Sequence, residues 1–479
     1  MILQYAILLL LCFALAYGQP ADLVTQVAQN TSFIDPQEAQ VPPTDPQAKP
    51  SLPCDTINFG YQCQSKISHK WGTNSPYFSA PSKLSPSLPS GCTITFVNAL
   101  YRHGARFPTK KHTPFYASTI AYIQRSVKPA KLTGKYAFLK KYKFALGIGD
   151  LTGFGQQQMV NAGVQFYRRY SPLAKKEDVF FRSAGMERVA LSAKKFGEGF
   201  HAEKKLYSPD RSWPYPMLLI PEGPTSNSTL SHDVCPAFEK SPKPGGAEKK
   251  KWAAVFLPPI ARRLAKDLGV DFSVDQTLAL MDMCPFATVS DARGRVSDFC
   301  ALFTPAEWSS YSHYSTLTKW HNFGPGNPLG PTQGVGYTNE LIARLTGRPV
   351  VDRTSTNRTL TGSKVTFPLD RKLYVDATHN NDMVSILFAM NLFDEGAPTP
   401  HGKGAWDFKA DTAVPFASRI VVEKMVCGKK KGPELVRVLV NDRVMPLRHC
   451  SADKLGRCEV GKYVESLAFA RGMGRWDKC

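Results

Sequence analysis

Two patterns of apolar and polar residues succeed each other along this chain: short, nearly continuous apolar runs and longer stretches with a helical period. Residues 93–101 are rich in β-branched and aromatic side chains and end at Arg102-His103-Gly104, the pattern of a buried strand. Helical spacing follows over 114–127, 135–146 and 154–170. A strand pattern returns at 178–183, and 187–201 is helical again. A long, mostly helical region with Pro- and Gly-rich loops runs on to about residue 320. The period then predicts a helix over 333–346, stopped by Gly347, a residue suited to the left-handed conformation past a helix end. A strand at 372–378 and a helix at 380–392 follow, then strands at 418–427, 434–440 and 443–447 and a last helix near 462–471. Strand–helix alternation on both sides of a helical middle predicts an α/β fold. We expect a mixed central sheet flanked by helices, with an inserted, mostly α-helical domain. The first part of the α/β domain falls at 54–134, the insertion at 135–320 and the second part at 321–479.

The amino-terminal region breaks this pattern twice. Ile2 to Tyr17 is an uncharged apolar run, too short for a stable membrane anchor, and it ends in Ala16-Tyr17-Gly18. It predicts a signal peptide over residues 1–18 and a secreted, extracellular protein. Residues 19–53 are rich in Pro, Gln and Ala and predict a disordered leader. No later stretch is long and apolar enough to predict a membrane span.

Cysteines and charge change the picture further. Of 11 cysteines, Cys12 falls in the signal and ten remain, an even number that suits five disulfides in an exported chain. No Cys-x-x-Cys pair occurs, and the Cys/His spacing fits no zinc site. Glycosylation sequons at Asn30, Asn227 and Asn357 agree with export. The net charge is +21, and the signal and leader contribute none of the excess. Such a field attracts small polyanions or an acidic surface, and equally serves solubility. With no zinc finger, RNA-recognition motif or basic helix, nucleic acid is not the expected partner. We expect a monomer without cofactor or metal, acting on a small polyanion.

The most informative segment is Arg102-His103-Gly104-Ala105-Arg106-Phe107-Pro108-Thr109, where the first strand ends. Ligand sites of α/β sheets lie at such ends. Guanidinium groups bind phosphoryl oxygens in bidentate fashion, and a neutral imidazole between them can attack phosphorus. Gly104 admits close backbone approach, with a carbonyl able to orient the ring. A second strand end carries Arg182 within FFRSAG at 180–185, with Arg188 beyond it. The third is LYVDATHNND at 373–382, where a strand leads to His379 and a helix begins. A helix start favours an anion there.

These motifs resemble the histidine acid phosphatases, and the Arg-His-Gly-x-Arg-x-Pro segment is the pattern that carries the likeness. Further segments are similar to the fungal phytases of that family: CDTINFGYQC at 54–63, KYAFLK at 135–140, LTGFG at 151–155, NPLGPTQGVGY at 327–337, PFASR at 415–419 and VNDRV at 440–444. The resemblance spans Cys54 to Cys479. It implies the pairs Cys54–Cys63, Cys92–Cys427, Cys235–Cys479, Cys284–Cys300 and Cys450–Cys458. It implies that His103 attacks phosphorus to form a phosphohistidine, and that Arg102, Arg106, Arg182 and His379 bind the phosphate, with Arg188 kept as structural. The residue after the second histidine is acidic in the family and handles the proton of the leaving alcohol; here it is Asn380. An amide cannot deliver that proton. Asp382 is the nearest substitute, although two residues are about 200° of rotation around a helix. Otherwise the enzyme is slow or prefers better leaving groups, or the chain is a catalytically weak binder of inositol phosphates. Lys110, Lys111 and Lys319 are candidate contacts for outer phosphates of phytate, at positions where the basic residues of relatives are spaced differently. Asp376, on the strand before His379, is expected to be structural. The reaction class implied is hydrolysis of phosphate monoesters at acidic pH.

Overall fold

The computed structural model describes residues 63–205, 216–292, 294–402, 404–428 and 432–479. The expected signal peptide and leader, with Asn30 and Cys54, lie outside the described residues. Eight strands among those described make one sheet: β1 (Cys92–Arg102), β2 (Val179–Ala184), β3 (Met217–Ile220), β4 (Leu373–Thr378), β5 (Arg419–Cys427), β6 (Glu434–Val440), β7 (Arg443–Val444) and β8 (Cys458–Glu459). The order is β3-β2-β4-β1-β5-β6-β7, with β8 on β6. β3, β2, β4 and β1 run parallel, whereas β5 is antiparallel to β1 and β6 to β5. The sheet is therefore mixed, as the alternation predicted.

The longer helices are α1 (Thr113–Ser126), α2 (Gly153–Arg169), α3 (Glu187–Lys205), α4 (Gly245–Leu268), α5 (Val274–Ser290), α6 (Pro305–Phe323), α7 (Val335–Thr346) and α8 (Asn380–Ala389). Their ends follow local chemistry. The Thr152 side chain accepts the Gly155 N–H at the start of α2, and Ser273 and Thr304 form capping boxes with Gln276 and Glu307. Gly347 ends α7 in the left-handed region, at φ 66°. Alternation along β1 divides the core: Val97, Ala99 and Tyr101 join α2 and α3 on one face, while Phe96 and Leu100 join α7 and α8 on the other.

A third apolar cluster, with Tyr116, Ile120, Leu257, Leu264, Leu280 and Trp308, holds α1, α4, α5 and α6 together as a helical lobe. Its make-up differs from the single insertion at 135–320. α1 lies before that stretch, while β2, β3, α2 and α3 lie within it and build the sheet and its cover. β3 went unpredicted. The helix expected at 135–146 is a 3-10 segment over Gly134–Lys140. There the Gln124 amide donates to the carbonyls of Leu139 and Tyr142, which takes two acceptors a continuing helix would need. The last helix divides into Val460–Ser466 and Ala468–Arg471.

Four disulfides match the implied pairs: Cys92–Cys427, Cys235–Cys479, Cys284–Cys300 and Cys450–Cys458. Cys63 is also disulfide-bonded. No helix among the described residues is long and apolar enough to cross a membrane.

Beneath the parallel strands lies a buried ion network. Arg182 donates to both Asp376 oxygens, at 2.8 and 3.1 Å, and to Glu340 at 2.8 Å. Arg344 reaches Asp376 at 2.6 Å and Asn98 at 2.6 Å, and the Tyr337 hydroxyl donates to Asp376 at 3.0 Å. Burial pushes the Asp376 carboxyl up, but Arg182 and Arg344 outweigh it and hold the group far below the usual range. Asp376 is structural, as expected from its strand position.

Candidate active site

The carboxyl ends of the four parallel strands deliver the site. Arg102 and Thr378 are register partners at the ends of β1 and β4, so His103 and His379 emerge side by side, with ring centroids 5.6 Å apart. Past β2 the chain turns through Gly185 into α3, whose first turn carries Arg188, and past β3 it reaches Glu222.

His103 is 2% exposed. Its backbone is fixed by Thr378 and Ala417, and its Nδ1–H donates to the Gly104 carbonyl at 2.8 Å. That bond leaves Nε2 as the unprotonated nitrogen. Burial, then the charges of Arg102, His379 and Arg106, hold the imidazole well below its ordinary value of 6.5. Its proton is therefore held less tightly than that of an ordinary histidine, which favours the neutral ring. With the nucleophile's titration displaced well below 6.5, kcat/KM for an aryl phosphate is expected to show no acid limb near pH 6.5. A limb there, removed by a His103 variant, would show that the ring titrates normally.

Three guanidinium groups surround it. Arg102 donates to the carbonyls of Thr73 (2.5 Å) and Val414 (2.8 Å) and lies 4.4 Å from the Phe416 ring centre. Arg106 donates to the Phe107 carbonyl at 2.8 Å. The Nε atoms of Arg102, Arg106 and Arg188 are buried and take no partner among the described residues. Burial and the mutual charges of the three push Arg102 well below its ordinary value and Arg106 to about 10. Unpartnered N–H groups on crowded like charges specify a multivalent anion.

Arg182, expected among the phosphate ligands, is committed instead to Asp376 and Glu340 and is 2% exposed. Its alternation on β2 sends it under the sheet. Arg188, expected to be structural, is the arginine placed beside Arg102, Arg106 and His103. Glu222 is new to the site. Its two oxygens lie 3.2 and 3.1 Å from His379 Nε2, and it accepts the Met186 N–H at 2.8 Å. Burial pushes its carboxyl up, but His379, Met186 and Arg188 outweigh it and hold the group below its ordinary value. The signal for Glu222 was Met217-Leu218-Leu219-Ile220-Pro221, an apolar run ended by proline.

His379 caps α8, and Asn380 is the first residue of that helix. Asp382, in the same first turn, is buried. Lys319 donates to Asn381 Oδ1 at 2.6 Å; burial, then Arg102, Arg106 and Lys249, bring its ammonium down to about 7. Lys319 is thus charged in acid. Lys110 and Lys111 are exposed just before α1, and Lys111 adds to the charge felt by Lys249 on α4, a lysine the sequence did not single out.

The family model of the histidine phosphatase superfamily (branch 2) matches residues 93–441. The chain belongs to this superfamily. Among its relatives, Phytase A of Aspergillus fumigatus is 46% identical over 448 residues, covering 91% of this chain and 95% of the relative. A Phytase A of Aspergillus terreus is 47% identical over 439 residues, covering 89% of this chain and 93% of the relative. Among solved structures, the phytase from D. castellii shares the fold, with a TM-score of 0.70 at 20% identity, over 84% of this chain and 85% of that one. As a member of the histidine phosphatases the chain is a hydrolase of phosphate esters, with its strand-end histidine and arginines inside the matched region.

Proposed function

We propose that this histidine phosphatase hydrolyses phosphate monoesters of polyanionic alcohols, phytate among them, through a phosphohistidine on His103. The observation that carries the proposal is an oriented His103 beside three arginines whose Nε atoms have no partner among the described residues. Arg102, Arg106, Arg188 and His379 bind the phosphate and stabilise charge growing on its oxygens as His103 Nε2 attacks. Lys111, Lys249 and Lys319 form a basic wall for further phosphates, and the names of the Phytase A relatives support phytate as the substrate. The paired cysteines and the apolar amino-terminal run support secretion. Of the described sequons, Asn227 is exposed and suits a glycan, whereas Asn357 is half-buried and its side-chain oxygen accepts the Leu360 N–H. A silent binder of inositol phosphates would accommodate Asn380 but would not need the oriented imidazole.

Mixing the protein with a radiolabelled phosphate ester and quenching in base, where phosphohistidine survives, is expected to leave label on the wild-type chain and none on His103→Ala. Turnover by the His103→Ala variant would overturn the mechanism.

A further inference from the structure

The missing acid next to His379 leaves a chemical need: an alkyl alkoxide departs slowly unless something protonates it. Asn380 cannot. Glu222 is held below the usual carboxylate range, with its oxygens engaged by His379 and Met186. Lys319 faces Arg102 and Arg106 and spends a proton on Asn381.

Asp382 differs from all of these. It is 5% exposed, and its Oδ1 is buried without a hydrogen bond among the described residues. The groups facing it come from each neighbouring element: His379 and its own backbone N–H at the start of α8, Lys319 on α6, and Glu222 and His232 on the chain after β3. Burial raises its carboxyl above the usual range, and the charges of His232 and His379 oppose that rise without cancelling it. His232 is itself a built feature. Its Nδ1 lies 2.7 Å from Glu239 Oε1, and its ring packs against Phe238 and Phe323. Lys319 lies over the same Phe323 ring, 5.4 Å from its centre, so His232 and Lys319 share an aromatic support. Burial lowers the His232 imidazole, but Asp382, Glu239 and Asp233 outweigh it and bring it up to about 8. Held by Glu239 at 2.7 Å, His232 supplies positive charge to Asp382.

We infer that Asp382 protonates the leaving oxygen in place of Asn380, and that His232, held by Glu239, is the positioning residue that sets the pH range of that transfer. The inference rests on the phosphohistidine reading above. As the ester P–O bond breaks and the P–N bond to His103 forms, the leaving oxygen takes the Asp382 proton. In the second half, Asp382 carboxylate takes a proton from water, whose oxygen bonds phosphorus as the P–N bond breaks. Asp382 is then protonated again, and no other reactant is consumed. His232 stabilises the carboxylate present between the two halves.

The test is phosphate release from phytate and from p-nitrophenyl phosphate between about pH 3 and 8, a range set by the ordinary carboxyl and imidazole values. The aryl leaving group needs little protonation. Asp382→Asn is expected to lose ~10²–10⁴-fold on phytate and less than ~10-fold on the aryl ester, and adding Asn380→Asp is expected to restore phytate turnover. His232→Gln removes a charge that favours ionised Asp382. It is expected to move the basic limb of kcat on phytate to higher pH and to leave the aryl profile in place. Phytate turnover of Asp382→Asn within ~3-fold of wild type, a difference well below a general acid's contribution, would overturn the assignment of Asp382. A His232→Gln profile scaled down evenly with no movement of the limb would overturn the role of His232, and this variant decides the matter if Asp382→Asn does not fold. Label trapped on wild-type His103 together with equal losses on both substrates in a folded Asp382→Asn would overturn the proton transfer alone. Absence of trapped label would sink the phosphohistidine reading beneath it.

Discussion

Replacing Arg188 by alanine is expected to lower kcat/KM for phosphate esters by ~10²–10³-fold, the scale seen when one donor to a developing oxyanion is removed. The folded state should hardly notice. Arg188 is half-buried, its Nε has no partner among the described residues, and burial already lowers its affinity for its own proton. Removing it relieves Arg102 and Arg106 of a like charge. Arg182→Ala is expected to do the reverse. It strands Asp376 and Glu340 in the core with one guanidinium fewer, and breaking such a buried pair costs about 3–5 kcal/mol. Urea unfolding beside steady-state kinetics separates the two arginines, only six positions apart. If Arg182→Ala unfolds like wild type and loses phosphate binding, or if Arg188→Ala unfolds early with unchanged kinetics, the assignment of the site is wrong.

That pair of residues marks where the sequence stopped being legible. The strand ending at Arg102, the helix stopped by Gly347 and the turn into His379 all carry local signals: an apolar run, a glycine past a helix, a helix start. The structure reproduces each of them. Arg182 carries no such signal. It lies at a strand end next to a helix, as a phosphate ligand would, and only its partners reveal otherwise; Asp376 and Glu340 are 194 and 158 residues away. Glu222 and His232 were missed for a related reason. Both follow β3, a strand of four residues in a region dominated by helical periodicity, and their meaning depends on His379 and Asp382 far along the chain. The lobe boundary failed in the same way. α1 packs with α4 and α5 through apolar side chains that no periodicity could assign to one core rather than the other.

Gly155→Ala is expected to damage folding and catalysis together, whereas Gly153→Ala in the same turn of α2 should do neither. A Cβ on Gly155 would lie 1.9 Å from the Ala105 carbonyl oxygen, and one on Gly104 would lie 2.2 Å from the Gly155 oxygen. Both obstacles are backbone, so no rotamer relieves them. The helix start and the loop bearing His103 and Arg106 interlock here: Thr152 N–H donates to the Ala105 carbonyl, and Ala105 N–H donates to the Gln158 side chain. Overpacking of this kind costs ~1–3 kcal/mol. The chain can escape only by moving the loop away from α2, and a shift of about 1 Å in a reacting group costs ~10²-fold in rate. Gly153 has open space at its Cβ, so alanine there should be neutral, or stabilising by up to ~1 kcal/mol through helix propensity. Thermal melts and phosphate release of the two variants check this. A Gly155→Ala protein with wild-type melting and turnover would mean that α2 does not hold the catalytic loop, and that His103 is oriented by Thr378, Ala417 and Gly104 alone.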